Sequence, residues 1–412
     1  DAGVDAKKTG DAGGSDAGHD SPMVTPGDSG VDATLDAQSD ATSPADAPAA
    51  IDAGPPSICP SGTGSIAVLG GTSTLAFGLV STNGVVPAPT SLLNSVSTVP
   101  ALIPYATGFL GLFTQASTTY IESTLYTPGA SAGWSTPSPV PAMTGSSSAL
   151  GALTLSPLDA YAEVVYEGSD FHFYQGEYRN GAWLPADSLV GGTVTQDFGP
   201  SAPASAVVGA TLYVAFDGNE SGGTAGGLYV DSEMSTNAWV GAAGIGGAGV
   251  GIVPPTLIAL TGGTADLMLV FEAFTTNDLY SVVHTPGAGA GTWSAPVQVD
   301  PTASSSVHVS VAPLKNGGAV LVYEGTNSFA YGSVYSPTAS TPWTTPVALY
   351  PNSLPLASPP SVATGTCGVD AVAAITQSVG VELLNLTGTT WSQPYLLSGT
   401  AAMTYATVAT AP

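Results

Sequence analysis

Four acidic residues in this 412-residue chain each follow an aromatic residue at the end of an apolar run. They lie in "YEG" at 166–168, "FDG" at 216–218, "FEA" at 271–273 and "YEG" at 323–325. The corresponding places in two further units read "FTQ" at 113–115 and "ITQ" at 375–377. If the units close into a ring, Glu167, Asp217, Glu272, Glu324, Gln115 and Gln377 form a circle of polar side chains on one face. Such groups accept hydrogen bonds from hydroxyls, and several converging carboxylates could hold a cation such as calcium. The local alternative is that each caps its own turn by accepting backbone N–H bonds. The stretch 164–183, "VVYEGSDFHFYQGEYRNGAW", carries the fullest set, with Tyr166, Glu167, Tyr174, Glu177, Tyr178, Arg179 and Trp183. An aromatic face against C–H groups and an acid against hydroxyls is the chemistry that grips a sugar ring.

Other chemistries are poorly provided for. Residues 129–133, "GASAG", match a nucleophile-elbow pattern, but that motif needs a strand–turn–helix setting and none is present. His19, His172, His284 and His308 are scattered without ligand spacing, which argues against zinc or copper. No cofactor is implied apart from the calcium option above. Lys and Arg number 4 against 30 Asp and Glu, for a net charge of -26. A surface of that sign repels phosphate backbones and anionic membranes, so nucleic acid is not an expected partner. No run approaches the roughly 18–20 apolar residues of a membrane-spanning helix, so no transmembrane segment is expected.

The elements that must position these residues are marked by tryptophan. Trp134, Trp183, Trp239, Trp293, Trp343 and Trp391 are separated by 49, 56, 54, 50 and 48 residues, mostly in phrases like "GTWSAPVQV" (291–299). A degenerate copy, "GVVPAP" at 84–89, puts Val86 in the Trp place. Each unit holds four short runs rich in Val, Tyr and Thr between Gly, Pro and Ser turns, labelled strands a to d. That period and content predict an all-β fold, a seven-bladed β-propeller of four-stranded blades. The Trp phrase is then strand d, the outer edge, where a Pro is tolerated and the Trp packs on the neighbouring blade.

Closure follows from counting strands. The first unit begins at "SIAVLGG" (65–71), a strand b with no strand a before it, and the chain ends with "AAMTYATVAT" (401–410), a lone strand a. Pairing them closes the ring and hides two sheet edges. Cys59 and Cys367, the only cysteines, fall on the same face of adjacent blades at that seam, and a disulfide between them is expected.

Residues 58–412 are thus assigned to the propeller and residues 1–57 to a tail. The tail strews eleven Asp through Ala, Gly, Ser, Thr and Pro and has no aromatic residue, so it cannot bury enough apolar area to offset its ordering entropy. Its repeated "DAG" lacks the fixed oxygen spacing of a calcium loop. The chain begins at Asp1, consistent with a removed leader and a secreted or outer-surface protein.

Two resemblances extend this reading. "AGAGTWS" (288–294) and "LTGTTWS" (386–392) resemble worn copies of the sialidase Asp-box, but that family clamps its substrate with three arginines and this body has only Arg179. The order apolar strand, Gly-Ser/Thr-Asp turn, aromatic strand, Gly and Trp in 164–183 resembles the repeat of tectonin-like and fucose-lectin-like bacterial propeller lectins. The same order recurs at 321–343, and the likeness covers most of 60–412. The resemblance implies an exported, non-enzymatic propeller that binds glycans or another cell-surface ligand. Fucose-binding relatives use an Arg in each pocket, and here that residue type is absent except at Arg179. The tail is similar to the N-termini of exported myxobacterial lipoproteins, where such a linker follows a lipidated Cys. That Cys is absent from this sequence, and the resemblance implies lipid anchoring through a removed or missing N-terminal Cys. The alternatives are a carboxylate-dependent glycoside hydrolase or lyase and a tethered protein-interaction scaffold. A glycosidase would need its two carboxyl groups about 5–5.5 or 6.5–9.5 Å apart.

Deleting residues 1–56 is expected to leave the thermal midpoint of the remainder unchanged in a calorimetric scan; a clear drop would mean that the tail packs on the body.

Overall fold

Short runs of β-branched and aromatic residues between Gly and Pro turns form strands here because both faces of each sheet are covered by neighbours. The computed structural model describes residues 58–59, 64–73, 75–82, 85–92, 96–115, 120–131, 133–140, 154–158, 161–167, 173–184, 188–189, 202–218, 227–235, 238–240, 243–245, 254–273, 276–287, 291–305, 307–349, 354–401 and 403–411. The tail assignment at 1–57 falls outside them, apart from what the sequence itself says.

Seven antiparallel sheets follow in order. In blade 1, strands b, c and d are Ser65–Thr72, Leu75–Thr82 and Thr90–Ser91, and strand a is the C-terminal Tyr405–Ala411. Strands a to c are Ala101–Tyr105, Gly108–Thr114 and Ile121–Tyr126 in blade 2, and Thr154–Leu158, Tyr161–Glu167 and Phe173–Arg179 in blade 3. Blade 4 has Ala204–Val208, Thr211–Gly218 and Gly227–Ser235, and blade 5 has Thr256–Ala259, Leu267–Glu272 and Leu279–Thr285. Blade 6 has Ser310–Pro313, Ala319–Glu324 and Ala330–Tyr335, and blade 7 has Ser361–Thr364, Ala371–Gln377 and Gly380–Thr387. The ring closes as expected. Ser65 through Gly71 pair with Ala411 through Tyr405, residue for residue. The expected Cys59–Cys367 disulfide is formed at that seam, with Cα atoms 4.6 Å apart.

Strand d is short and in four blades is split in two. In blade 5 its pieces are Thr292–Trp293 and Val297–Gln298, on either side of Pro296. Proline has no N–H to give the ladder, so the strand bulges away from strand c. The residue after Trp repairs the gap. Ser294 donates its N–H to Val283 O at 2.9 Å, and its hydroxyl accepts from Val283 N at 3.1 Å. Ser135, Thr344 and Ser392 serve Leu125, Val334 and Asn385 in the same way in blades 2, 6 and 7. The phrase Trp-Ser/Thr-x-Pro is therefore a bent edge strand with its own side-chain patch.

The core is a set of seams between blades. One apolar cluster lies at each of the seven junctions; that between blades 2 and 3, for example, joins Leu110, Leu112 and Ile121 to Val164, Tyr166, Tyr178 and Trp183. Each of four Trp residues seats on a small residue of strand c in the preceding blade. Trp183 Nε1 donates to Ser123 Oγ and Trp343 Nε1 to Ser281 Oγ, both at 2.9 Å. Trp134 covers Gly78 and Trp391 covers Gly332, where an added Cβ would lie 2.5 and 2.8 Å from the indole. Facing strands of blades 3 to 6 also stack an aromatic pair: Tyr166–Tyr174, Phe216–Tyr229, Phe271–Tyr280 and Tyr323–Tyr331. Each such pair contributes roughly 0.5–1.5 kcal/mol beyond area burial.

Closure should be the weak point of the ring. Reducing Cys59–Cys367, or replacing both residues with Ser, removes a cross-link across a sequence separation of 308 residues. In the chain-entropy model that costs about 6 kcal/mol. A scanning calorimeter should show the midpoint fall by roughly 5–10 °C, and an unchanged midpoint would contradict the account.

Candidate functional site

The sequence-selected residues divide between the two ends of the blades. Tyr166 and Tyr174 lie at the b–c end of blade 3, buried and stacked with centroids 5.7 Å apart. Arg179 and Trp183 lie at the opposite, c–d end. Tyr174 and Arg179 are five residues apart along one strand, about 17 Å at the usual rise. The blade 3 set therefore does not converge on a single point.

The aromatic–acid ring is also differently placed. Glu167 and Glu272 are 1% and 3% exposed, buried rather than open at a channel mouth. In each, Oε2 has no hydrogen-bond partner among the described residues. Burial pushes both carboxyls up to about 7. Glu324 is half-buried and its pKa is raised by burial, against a hydrogen bond from Ser328. Asp217 pairs with Leu228 in the b–c ladder, and its side chain lies outside the described residues. The register corrects the alignment of the other two units. Thr114 stands opposite Ile121 as Glu167 does opposite Phe173. Thr376 stands opposite Val381, whose carbonyl accepts from Leu397 as that of Leu279, opposite Glu272, accepts from Val299. Gln115 and Gln377 are therefore one place beyond the acids. Among the described residues no group of three or more His, Cys, Asp or Glu is arranged to hold a metal ion.

At the c–d end, blades 2 and 3 leave an open pocket of about 240 Å³. Trp183 and Tyr178 form one wall, their rings tilted 53° with centroids 5.0 Å apart. Tyr105 meets Tyr178 edge-on at 5.3 Å. Ser123, Thr124, Ser135 and Ser138 from blade 2 form the other wall, and no charged side chain lines the pocket among the described residues. Arg179 does not enter it: the guanidinium is ion-paired with Glu177 and lies over the Tyr161 ring, 4.4 Å from its centroid. A second pocket of about 240 Å³, at the b–c end of blade 6, is lined by Tyr323, Tyr331, Asn327 and hydroxyls of the loop arriving from blade 5. Asn327 Nδ2 donates to Tyr331 Oη at 2.8 Å.

The junction of blades 3 and 4 departs most from the repeat. Gln175 stands where blades 1, 2, 5 and 6 carry Gly78, Ser123, Ser281 and Gly332, and Glu233 where blades 2, 3 and 6 carry Tyr beside the Trp. Glu163 occupies a strand b position that is Leu110, Met268, Val320 or Val372 elsewhere. These residues meet. Gln175 Nε2 donates to Glu163 Oε2 at 2.6 Å and to Glu233 Oε2 at 2.9 Å. Burial, and then the neighbouring Glu233 charge, push the Glu163 carboxyl up to about 8. Periodicity draws attention to what recurs, so reading found none of this cluster; the signal was the break in an otherwise apolar column.

With the geometry in view, the chain is a seven-bladed β-propeller with aromatic- and hydroxyl-lined pockets at its blade junctions. No family model matches it and no curated protein matches it. Among solved structures it is similar to the BP39L lectin from Burkholderia pseudomallei, with TM-score 0.64 and 13% identity over 81% of this chain and 95% of that one. It is also similar to the SapL1 lectin in complex with alpha methyl fucoside, with TM-score 0.50 and 12% identity over 75% and 99% of the two chains. At such identities the likeness to propeller lectins is one of fold.

The raised carboxyls set a pH dependence. A folded-state pKa above the unfolded value means that the folded chain binds the extra proton, so stability falls as pH rises through the interval between the two values. For Glu163, Glu167 and Glu272 that interval runs from 4.5 to about 7 or 8. The thermal midpoint should therefore be higher at pH 5 than at pH 8, and Glu163→Gln should flatten the slope. A midpoint that rises with pH across this range would refute the assignment.

Proposed function

We propose that this propeller is a non-enzymatic glycan-binding protein, exported from the cell, whose ligand is a neutral sugar of a cell-surface or similar glycan. The observation that carries the reading is the blade 2–3 pocket, where Trp183 and Tyr178, 9% and 7% exposed, line an opening beside the hydroxyls of blade 2. The two rings offer an apolar surface for the C–H face of a pyranose, and the serines and threonine offer donors and acceptors for its hydroxyls. The pocket has no cation to clamp a carboxylate among the described residues, and Arg179 is engaged by Glu177 and Tyr161. That favours neutral sugars over acidic ones and separates the site from an Arg-centred fucose pocket. The fold shared with the BP39L lectin supports the class of ligand.

Binding is favoured over hydrolysis by the position of the acids. The one carboxylate pair bridged by a shared donor among the described residues, Glu163 and Glu233, is buried and lines neither junction pocket. The disulfide suits an oxidising compartment outside the cytoplasm.

A glycan array with and without calcium tests the proposal. We expect retention of neutral glycans independent of chelator, at least tenfold weaker in Trp183→Ala and several-fold weaker in Tyr178→Phe, with Tyr178→Phe keeping the wild-type thermal midpoint. Should Trp183→Ala lose its fold, Tyr178→Phe decides. Absence of retention on a broad array by the folded wild-type protein would sink the reading.

A further inference from the structure

The seven strands a present their free edges to the axis of the ring, and their side chains leave a cavity of about 250 Å³ at the end where the inter-blade loops enter. This cavity is distinct from the junction pockets. An exposed strand edge is ordinarily an unmet row of N–H and C=O groups. Here adjacent blades satisfy it with hydroxyls. Thr154 Oγ1 accepts from Ser205 N at 3.0 Å, Ser310 Oγ from Val362 N at 3.0 Å, and Ser361 Oγ from Val408 N at 3.2 Å. Each bond crosses a blade junction, so the lining is ordered without any ligand.

The composition of that lining is selective. It alternates hydroxyls with Leu and Val side chains, it is rimmed by prolines, and it holds no Asp, Glu, Lys or Arg among the described residues. In a chain with 30 acidic residues this is an unusual neutral spot. A single imidazole, His308, joins it. Burial holds His308 down to about 4, so the ring is neutral at physiological pH, with one donor and one acceptor nitrogen. Its Nδ1 is sealed from solvent and has no hydrogen-bond partner among the described residues. A ligand in the cavity would meet the imidazole that lines it.

We propose that the axial cavity is a binding site for a small neutral polyhydroxylated molecule, of monosaccharide or cyclitol size, with His308 as its principal hydrogen-bonding residue. An anion would meet no counter-charge there and would be opposed by the net charge of -26. A metal or organic cation would find no carboxylate in the lining among the described residues. A neutral polyol matches both surfaces, with C–H groups against Leu and Val and hydroxyls against the hydroxyl ring and the imidazole. The site is independent of the blade 2–3 pocket, and either could exist without the other.

The test uses the full chain with myo-inositol and methyl α-D-glucopyranoside as probes, each titrated to about 100 mM while the imidazole resonances are followed by NMR. The expected result is a saturable shift of the His308 signals with at least one probe, while the His284 signals stay still. Saturation-transfer signals from that probe should fall at least tenfold in His308→Leu and be partly kept in His308→Asn. Unmoved His308 signals with both probes, or a shift that grows linearly without saturation, would overturn the proposal. So would an undiminished transfer signal in a folded His308→Leu protein. If His308→Leu does not fold, the wild-type titration decides alone.

Discussion

Every blade depends on its neighbours to cover its faces. A four-stranded sheet of this size cannot bury both sides alone, and the apolar side chains are gathered into seven clusters, one at each junction. The seating of a strand d Trp on a Gly or Ser of the preceding blade sets how closely two sheets approach. It also explains why the Trp recurs with the blade period. The ring must then close, since an open end would leave one such face and one strand edge in water. The C-terminal strand and the Cys59–Cys367 bridge meet that requirement together.

The same close packing determines the chemistry of the acids. Glu167 and Glu272, at the ends of their strands b, are buried, and burial raises both carboxyls. A charged ring at the channel mouth, as the spacing suggested, would require those side chains to face solvent. Glu167 and Glu272 do not. What remains open to a ligand is neutral: indole, phenol and hydroxyl at the junctions, and hydroxyl, aliphatic and imidazole at the axis.

Departures from the repeat concentrate around blade 3. Gln175 replaces a small residue, Glu233 a tyrosine, and Glu163 an aliphatic residue, and the three side chains bond to one another across a junction. The apolar cluster there is correspondingly the smallest of the seven among the described residues. One such substitution alone would bury an unmatched polar group, at a cost of about 1–3 kcal/mol. Made together, they satisfy one another in part. His284 is a second departure of this kind. It stands in the Tyr place of blade 5, packs 5.1 Å from Trp293, and is held by Asp266 at 2.6 Å.

Repeat length, strand order, closure and the cysteine pair were legible in the sequence alone, because each follows from local rules: a period of about fifty residues, strand-forming composition, an unpaired strand at each terminus, and two thiols at one seam. The residues of the open pockets were legible only in part. Trp183 and Tyr178 stood out by type, but their partners Ser123, Thr124, Ser135 and Ser138 lie on the preceding blade and look like ordinary strand residues in the chain. The exposure of Glu167 and Glu272 was not legible at all. It depends on what packs around them in the assembled ring, which no local pattern in the chain records. Which side chains face a cavity across a junction, and which carboxyls lose their water, are properties of pairs of blades, and only the assembled ring brings those pairs together.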